Sequence, residues 1–332
     1  LSKSTLTLKD IFSGIRAGKI AMLSKAITLM ESSLPEHRNM AADLVEMCLP
    51  FSGNSIRIGI TGVPGAGKST FIDSLGTFYC EQKQKVCVLA VDPSSQKTQG
   101  SILGDKTRME KLSAHENAFI RPSPSAGSLG GVAKATRESI ILCEAAGFTK
   151  VLVETVGVGQ SETEVHSMVD FFLLLAIPGA GDELQGIKRG IMEMADAIII
   201  NKADGDNMGK VTIARGQLVN ALHLFPLNES GWLSPVESCS ALENTGIDKA
   251  AEIIEQFIKL HKQKNLFEKR RDSQSEFWLN NSIENMLKQG FFENKKISQK
   301  LSEYKAMLLK KEISPFKAAN DLMALYSKEI KS

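Results

Sequence analysis

Along the chain the spacing of apolar residues changes twice. Up to residue 50 they recur every three or four positions, as at Ile20, Leu23, Ala26, Ile27 and Met30, which is the spacing of one helix face. Beyond it, short β-branched runs alternate with helix-length stretches: Ser55 to Ile60, Val86 to Val91, Val151 to Val153, Phe171 to Ile177, Ala197 to Ile200 and Val236 to Cys239. Several runs are apolar at successive positions, the pattern of strands covered on both faces. Strands alternating with helices predict an α/β fold with a doubly wound, mostly parallel sheet. After about residue 262 the runs stop, and a charged stretch, Lys262 to Glu276, leads into helices. There Ile297, Leu301, Tyr304 and Leu308 form one apolar stripe, which suits either packing on the parent domain or pairing with another chain. The expected organisation is an N-terminal helical extension over 1–50, an α/β domain over 51–261 and a C-terminal helical arm over 262–332.

Composition removes several function classes. The chain has 332 residues, enough to bury a full core, and 40 Lys plus Arg against 38 Asp plus Glu. So even a balance provides no global field for nucleic acid or a membrane surface, and neither is expected as a partner. The most apolar run, Phe171 to Ile177, is far shorter than the roughly 20 residues that span a bilayer. No signal-peptide pattern opens the sequence, which begins at Leu1. The five cysteines are scattered without a Cys-x-x-Cys pair, against both a disulfide framework and a zinc site. A reducing compartment is expected: the cytoplasm, or the mitochondrial matrix if a transit peptide has been removed.

The strongest local signal is Gly62-Val63-Pro64-Gly65-Ala66-Gly67-Lys68-Ser69, which satisfies G-x-x-x-x-G-K-[ST] between a strand and the helical stretch from Thr70 to Phe78. Glycines let backbone N–H groups turn inward on phosphates, and the helix N-terminus adds its positive dipole end. Lys68 is expected to reach the β and γ phosphates and Ser69 to ligate Mg2+ through its hydroxyl. Asn201-Lys202-Ala203-Asp204 follows the Ala197 run, at a strand's carboxyl end. A carboxylate at Asp204 can accept from guanine N1–H and the 2-amino group, donors that adenine lacks there. Ser240-Ala241-Leu242 fits a further loop whose backbone meets guanine O6. GTP or GDP is therefore the expected nucleotide.

For the metal, Val151 to Gly157 ends a strand in Glu-x-x-Gly, making Glu154 the acid beyond the phosphate loop and Gly157 a γ-phosphate sensor. Asp92 and Asp105 add two carboxylates in loop-like sequence. Two hard oxygen donors there suit a magnesium site; isolated loop aspartates equally suit a solvated surface. Val158 stands where the GTPase template has a water-positioning glutamine, so slow intrinsic hydrolysis is expected. A glycine-rich segment from Pro178 to Gly190 has charges enough to reach a nucleotide.

Taken together, the phosphate loop through Thr70, Val91 to Ser95, Gly104 to Met109, Phe119 to Pro124, Gly130-Gly131, Glu154 to Glu162 and Pro178 to Lys188 resemble one family. It is the MeaB, MMAA and ArgK group of metallochaperone-type P-loop GTPases. The resemblance implies a GTPase chaperone of an adenosylcobalamin-dependent acyl-CoA mutase of the methylmalonyl-CoA mutase type, gating cofactor loading and protecting or reactivating the mutase. It implies a homodimer through the C-terminal helices, Asp92, Asp105 and Glu154 as the acids near magnesium, and Lys188 as a third-switch residue that contacts nucleotide. Rival readings are a kinase acting on an amino-acid transport protein and a nickel-insertion GTPase. The latter would be favoured by a histidine-rich tract or paired cysteines, and the sequence has neither.

Overall fold

A computed structural model describes residues 7–32, 34–91, 108–122, 129–155, 161–178, 189–226 and 229–331. The chain divides into two compact units, Leu1–Arg271 and Asp272–Ser332.

The first unit is built on a parallel seven-stranded sheet: β1 (Ile56–Gly62), β2 (Val86–Val91), β3 (Ala118–Arg121), β4 (Lys150–Thr155), β5 (Phe171–Ala176), β6 (Ala197–Ile200) and β7 (Val236–Ser238), in the order β3-β2-β4-β1-β5-β6-β7. β1 pairs with β4, Ile60 beside Glu154, and with β5, Gly62 beside Leu175. Parallel pairing requires crossovers, so helices cover both faces. The strands' successive apolar residues serve those two layers. Leu173, Leu175 and Ile199 face a core with Phe71, Ile72 and Leu75 of helix Lys68–Glu81 and Ile254 and Phe257 of helix Ile247–Gln263. Leu174, Ile198 and Ile200 face the opposite core with Val211, Ala214 and Leu218 of helix Met208–Leu222.

The N-terminal helical pattern resolves into helices Leu8–Arg16, Ile20–Met30 and Pro35–Cys48. The second and third pack on helix Leu129–Ala145, which itself lies on β2. One strand, β3, has no counterpart among the expected runs. It is a four-residue edge strand with only Phe119 and Ile120 buried. The charged stretch after 262 is itself helical: helix Ile247–Gln263 ends near Asn265, which holds a positive φ of 56°, and a second helix covers Leu266–Glu293.

In the second unit, helices Lys295–Leu309 and Pro315–Lys331 pack together. Asn294 caps the first of them, accepting from the N–H groups of Lys296 and Ile297. Ile297 is fully buried, and Leu301, Tyr304 and Leu308 of the expected stripe are half-buried. Lys296 reaches Glu329 at 2.8 Å across the pair.

Candidate functional site

The carboxyl ends of β1, β4 and β6 bring the site's described residues together. Gly62, Gly65 and Gly67 all hold positive φ, so the segment between β1 and helix Lys68–Glu81 turns tightly around its own backbone. Gly67 has a second reason to lack a side chain, because a Cβ there would meet Asn201 Nδ2 at 2.7 Å. Lys68 Nζ donates to the carbonyls of Gly62 at 2.8 Å and Val63 at 3.3 Å, curling back over the loop. Burial lowers its pKa, while the nearby Glu154 and Glu162 carboxylates oppose that shift. An ammonium in this position lacks a full set of anionic partners, and phosphate oxygens would supply them.

Ser69 Oγ donates to Glu154 Oε1 at 3.1 Å, and Glu154 is only 6% exposed. A hydroxyl and a buried carboxylate thus meet beside the phosphate loop, a donor set that fits a hard divalent cation. Among the described residues, no group of three or more His, Cys, Asp or Glu is arranged to hold a metal. The other expected metal acids, Asp92 and Asp105, lie outside the described residues, as do Gly157 and Lys188.

Asn201 is 2% exposed and acts as a bracket between two loops. Its Nδ2 donates to the Ala66 carbonyl at 2.8 Å, while its Oδ1 accepts from the Ala241 N–H at 3.0 Å and the Cys239 thiol at 3.5 Å. Lys202 is exposed and left-handed, with φ 61°, which turns the chain sharply after β6. Asp204 Oδ2 accepts from Ser240 Oγ at 2.5 Å, and that hydroxyl also accepts from the Glu243 N–H at 3.1 Å. The acid expected to read a base edge is therefore held in one orientation. Ala241 is buried and Leu242 is 79% exposed beside it. Pro64 lies exposed at the loop's tip, and Thr70 follows Ser69 in the helix's first turn.

Sequence reasoning assigned no role to Glu162. It is 7% exposed on helix Ser161–His166, with its charge felt at Lys68. Its only sequence signal was membership of the Glu154 to Glu162 segment. Nor did the sequence show that Asn201 ties the phosphate loop to the Ser240 loop.

Parallel sheet, phosphate loop and a fixed Asn-Lys-x-Asp carboxylate define a P-loop domain built for a guanine nucleotide. Comparison with known proteins narrows the class. The model of the methylmalonyl-CoA mutase-associated GTPase MeaB family matches residues 23–296, and the chain belongs to that family. The GTPase ArgK of Escherichia coli is 48% identical over 288 residues, 87% of each chain. The mitochondrial methylmalonic aciduria type A homolog of Mus musculus is 40% identical over 326 residues, 95% of this chain and 79% of that one. The crystal structure of a LAO/AO transport system kinase superposes with a TM-score of 0.76 at 38% identity, covering 100% of this chain and 99% of the other. The chain is thus a GTPase with bound GTP or GDP as its nucleotide. Among the described residues, no helix is long and apolar enough to cross a membrane.

Proposed function

We propose that this GTPase is a chaperone of an adenosylcobalamin-dependent acyl-CoA mutase of the methylmalonyl-CoA mutase type, using GTP hydrolysis to gate cofactor loading and to protect or reactivate the mutase. The observation that carries this reading is the match to mutase-associated GTPases over 23–296. The likeness to the mouse homolog supports it and extends the choice of compartment to the mitochondrial matrix beside the cytoplasm. All five cysteines are free and buried, in keeping with a reducing compartment.

In this reading Lys68 turns from the Gly62 and Val63 carbonyls to the β and γ phosphates, with the backbone N–H groups of Gly65 to Thr70 around them and Gly62, Val63 and Pro64 shaping the turn. Ser69, Glu154, Asp92 and Asp105 are the residues that would hold Mg2+, and the ion when bound would neutralise phosphate charge. Gly157 senses the γ phosphate. Asp204, oriented by Ser240, accepts from the guanine edge, while Asn201 and Lys202 shape the base pocket and the Ser240-Ala241-Leu242 loop, tied to Asn201 through the Ala241 N–H, is the one whose backbone meets guanine O6. Lys188 supplies a further cation to the nucleotide when the mutase is bound. The protein works as a homodimer through its C-terminal helices. Leu279, Ile283, Met286 and Leu287 are exposed on helix Leu266–Glu293, and their spacing makes an apolar face that supports such pairing.

The test is single-turnover GTP hydrolysis with and without methylmalonyl-CoA mutase, for the wild type and Lys188→Ala. The expected result is slow hydrolysis alone, acceleration by the mutase on the order of 10³-fold, and much weaker acceleration of the variant. Absence of acceleration by any mutase of this class rejects the chaperone reading. Phosphate transfer to a protein acceptor in place of water would favour the kinase reading instead.

A further inference from the structure

A serine or threonine inside a helix ordinarily spends its hydroxyl on a carbonyl one turn back in the same helix. Helix Leu129–Ala145 follows that habit, with Thr136 donating to the Val132 carbonyl at 2.9 Å and Ser139 to the Ala135 carbonyl at 2.7 Å. Ser74 departs from it. It lies buried within helix Lys68–Glu81, and its Oγ donates at 2.8 Å to the carbonyl of Ala241, 167 residues away. The helix that begins at the phosphate loop thus reaches the Ser240-Ala241-Leu242 loop directly.

Other groups pin the rest of that loop. Ser240 and Thr245 exchange backbone hydrogen bonds at 3.0 and 3.1 Å, which closes the turn between them. The Glu243 N–H donates to Ser240 Oγ at 3.1 Å, and the Ala241 N–H to Asn201 Oδ1 at 3.0 Å. Ser74 holds the following peptide, the one that joins Ala241 to Leu242, by its oxygen. A trans peptide is planar, with its C=O and N–H pointing in opposite directions, so fixing one fixes the other. With the Ala241 carbonyl drawn onto the helix, the Leu242 N–H is turned away from it, on the side where the Leu242 residue is exposed.

We propose that Ser74 is a positioning residue for base selection: by holding the Ala241 carbonyl it aims the Leu242 N–H at the 6-position of the base, where guanine presents an oxygen. The inference rests on the reading of Ser240-Ala241-Leu242 as the loop that meets guanine O6, and it names the group that sets the polarity of that loop. A peptide free to turn over would offer a carbonyl to the same position, and two facing oxygens repel. A buried site that loses such a matched donor discriminates less between bases, because the wrong base no longer leaves that donor unpaired. Asp204 reads the N1–H and 2-amino edge and is oriented by Ser240. The two contributions therefore separate when one ring substituent is changed at a time.

The test measures dissociation constants on the full-length protein for GDP, 6-thioguanosine diphosphate and inosine diphosphate. The thio nucleotide replaces only the oxygen at position 6, by a weak acceptor, and inosine diphosphate lacks only the 2-amino group. The wild type should prefer GDP over both. Ser74→Ala should lose GDP affinity on the order of tenfold and bind the thio nucleotide about as before. Its preference for GDP over the thio nucleotide then narrows by that factor, while its preference over inosine diphosphate is unchanged. Ser74→Thr, which keeps the hydroxyl, should restore the wild-type ratios. Alanine favours a helix more than serine does, so the exchange spares the helix. If the alanine variant does not fold, Ser74→Cys, of like size with a poorer donor, takes its place with the same expected narrowing. A variant that weakens all three nucleotides alike, or not at all, overturns the role of Ser74 and leaves the guanine site standing, as does equal narrowing in the threonine variant. A wild type that binds GDP no better than ADP rejects the guanine reading and the proposal with it.

Discussion

Replacing Asn201 by alanine tests the geometry that joins the two halves of the nucleotide site. The amide makes two well-formed bonds to backbone groups, donating to the Ala66 carbonyl at 2.8 Å and accepting from the Ala241 N–H at 3.0 Å, and both residues are buried. Truncation leaves a buried acceptor and a buried donor unsatisfied, and each such group costs about 1–3 kcal/mol. The expected loss of stability is therefore roughly 2–6 kcal/mol, a large part of the 5–15 kcal/mol typical of a folded domain. The same change frees the phosphate loop from the base loop, so GDP binding should weaken about tenfold or more. Urea unfolding followed by circular dichroism, with and without GDP, reads both effects. At GDP concentrations 100 times the wild-type Kd, the wild type gains about 2.7 kcal/mol, and a variant bound tenfold more weakly gains only about 1.4 kcal/mol. Asn201→Asp keeps an acceptor for Ala241 but turns a carboxylate oxygen toward the Ala66 carbonyl, so it should be at least as damaging. An alanine variant within about 0.5 kcal/mol of wild type, with an unchanged gain from GDP, would refute the bracket.

What the sequence made legible divides along a physical line. Val86–Val91 and Ala197–Ile200 fall where their apolar runs predict, because a strand buried on both faces announces itself in consecutive residues. β3 was missed because an edge position needs little apolar length, and two buried residues do not stand out from a loop. The helix over the charged stretch hid for a related reason. What fixes its start is Arg270 on Asp196 and Arg271 on Asp170, partners 74 and 101 residues away. The site shows the same contrast. The phosphate loop and Asn201 to Asp204 are contiguous, so each can be read as a motif. The Asn201 bracket spans 135 residues to Ala66 and 40 to Ala241. Glu162 became notable only once the fold buried it on helix Ser161–His166, where its charge opposes the lowering of the Lys68 pKa. Residues whose roles depend on such approaches carry no local signature.

Three further outcomes test the site and its surroundings. Lys68→Ala removes a cation curled over the phosphate loop, so GTP affinity or turnover should fall about a hundredfold or more in nucleotide titration and phosphate-release assays. Asp204→Asn keeps a side chain within reach of Ser240 but donates where the carboxylate accepted; the variant should exchange guanine for xanthine preference, a discrimination of roughly 10⁴-fold, read by competition between the two nucleotides. The third outcome concerns pH. His166 has its pKa lowered to about 4 by burial and by Arg270, against 6.5 for a free imidazole. Between those values the unfolded chain binds a proton that the folded chain excludes, so this residue makes stability rise with pH across the window and fall as pH drops from 6.5 toward 4. The slope is half of about 1.4 kcal/mol per pH unit at pH 6.5 and approaches that value below it, so lowering the pH from 6.5 to 5 should cost about 1.6 kcal/mol through this ring alone. His261, lowered to about 4 by burial and the Arg270 charge, acts with the same sign, whereas Asp196, raised by burial, acts oppositely above the ordinary aspartate range. Comparing wild type with His166→Gln, whose side chain does not titrate, cancels both neighbours to first order. Urea midpoints at pH 6.5 and 5 should show the variant losing about 1.6 kcal/mol less than wild type; equal losses would mean that His166 is not held neutral against Arg270.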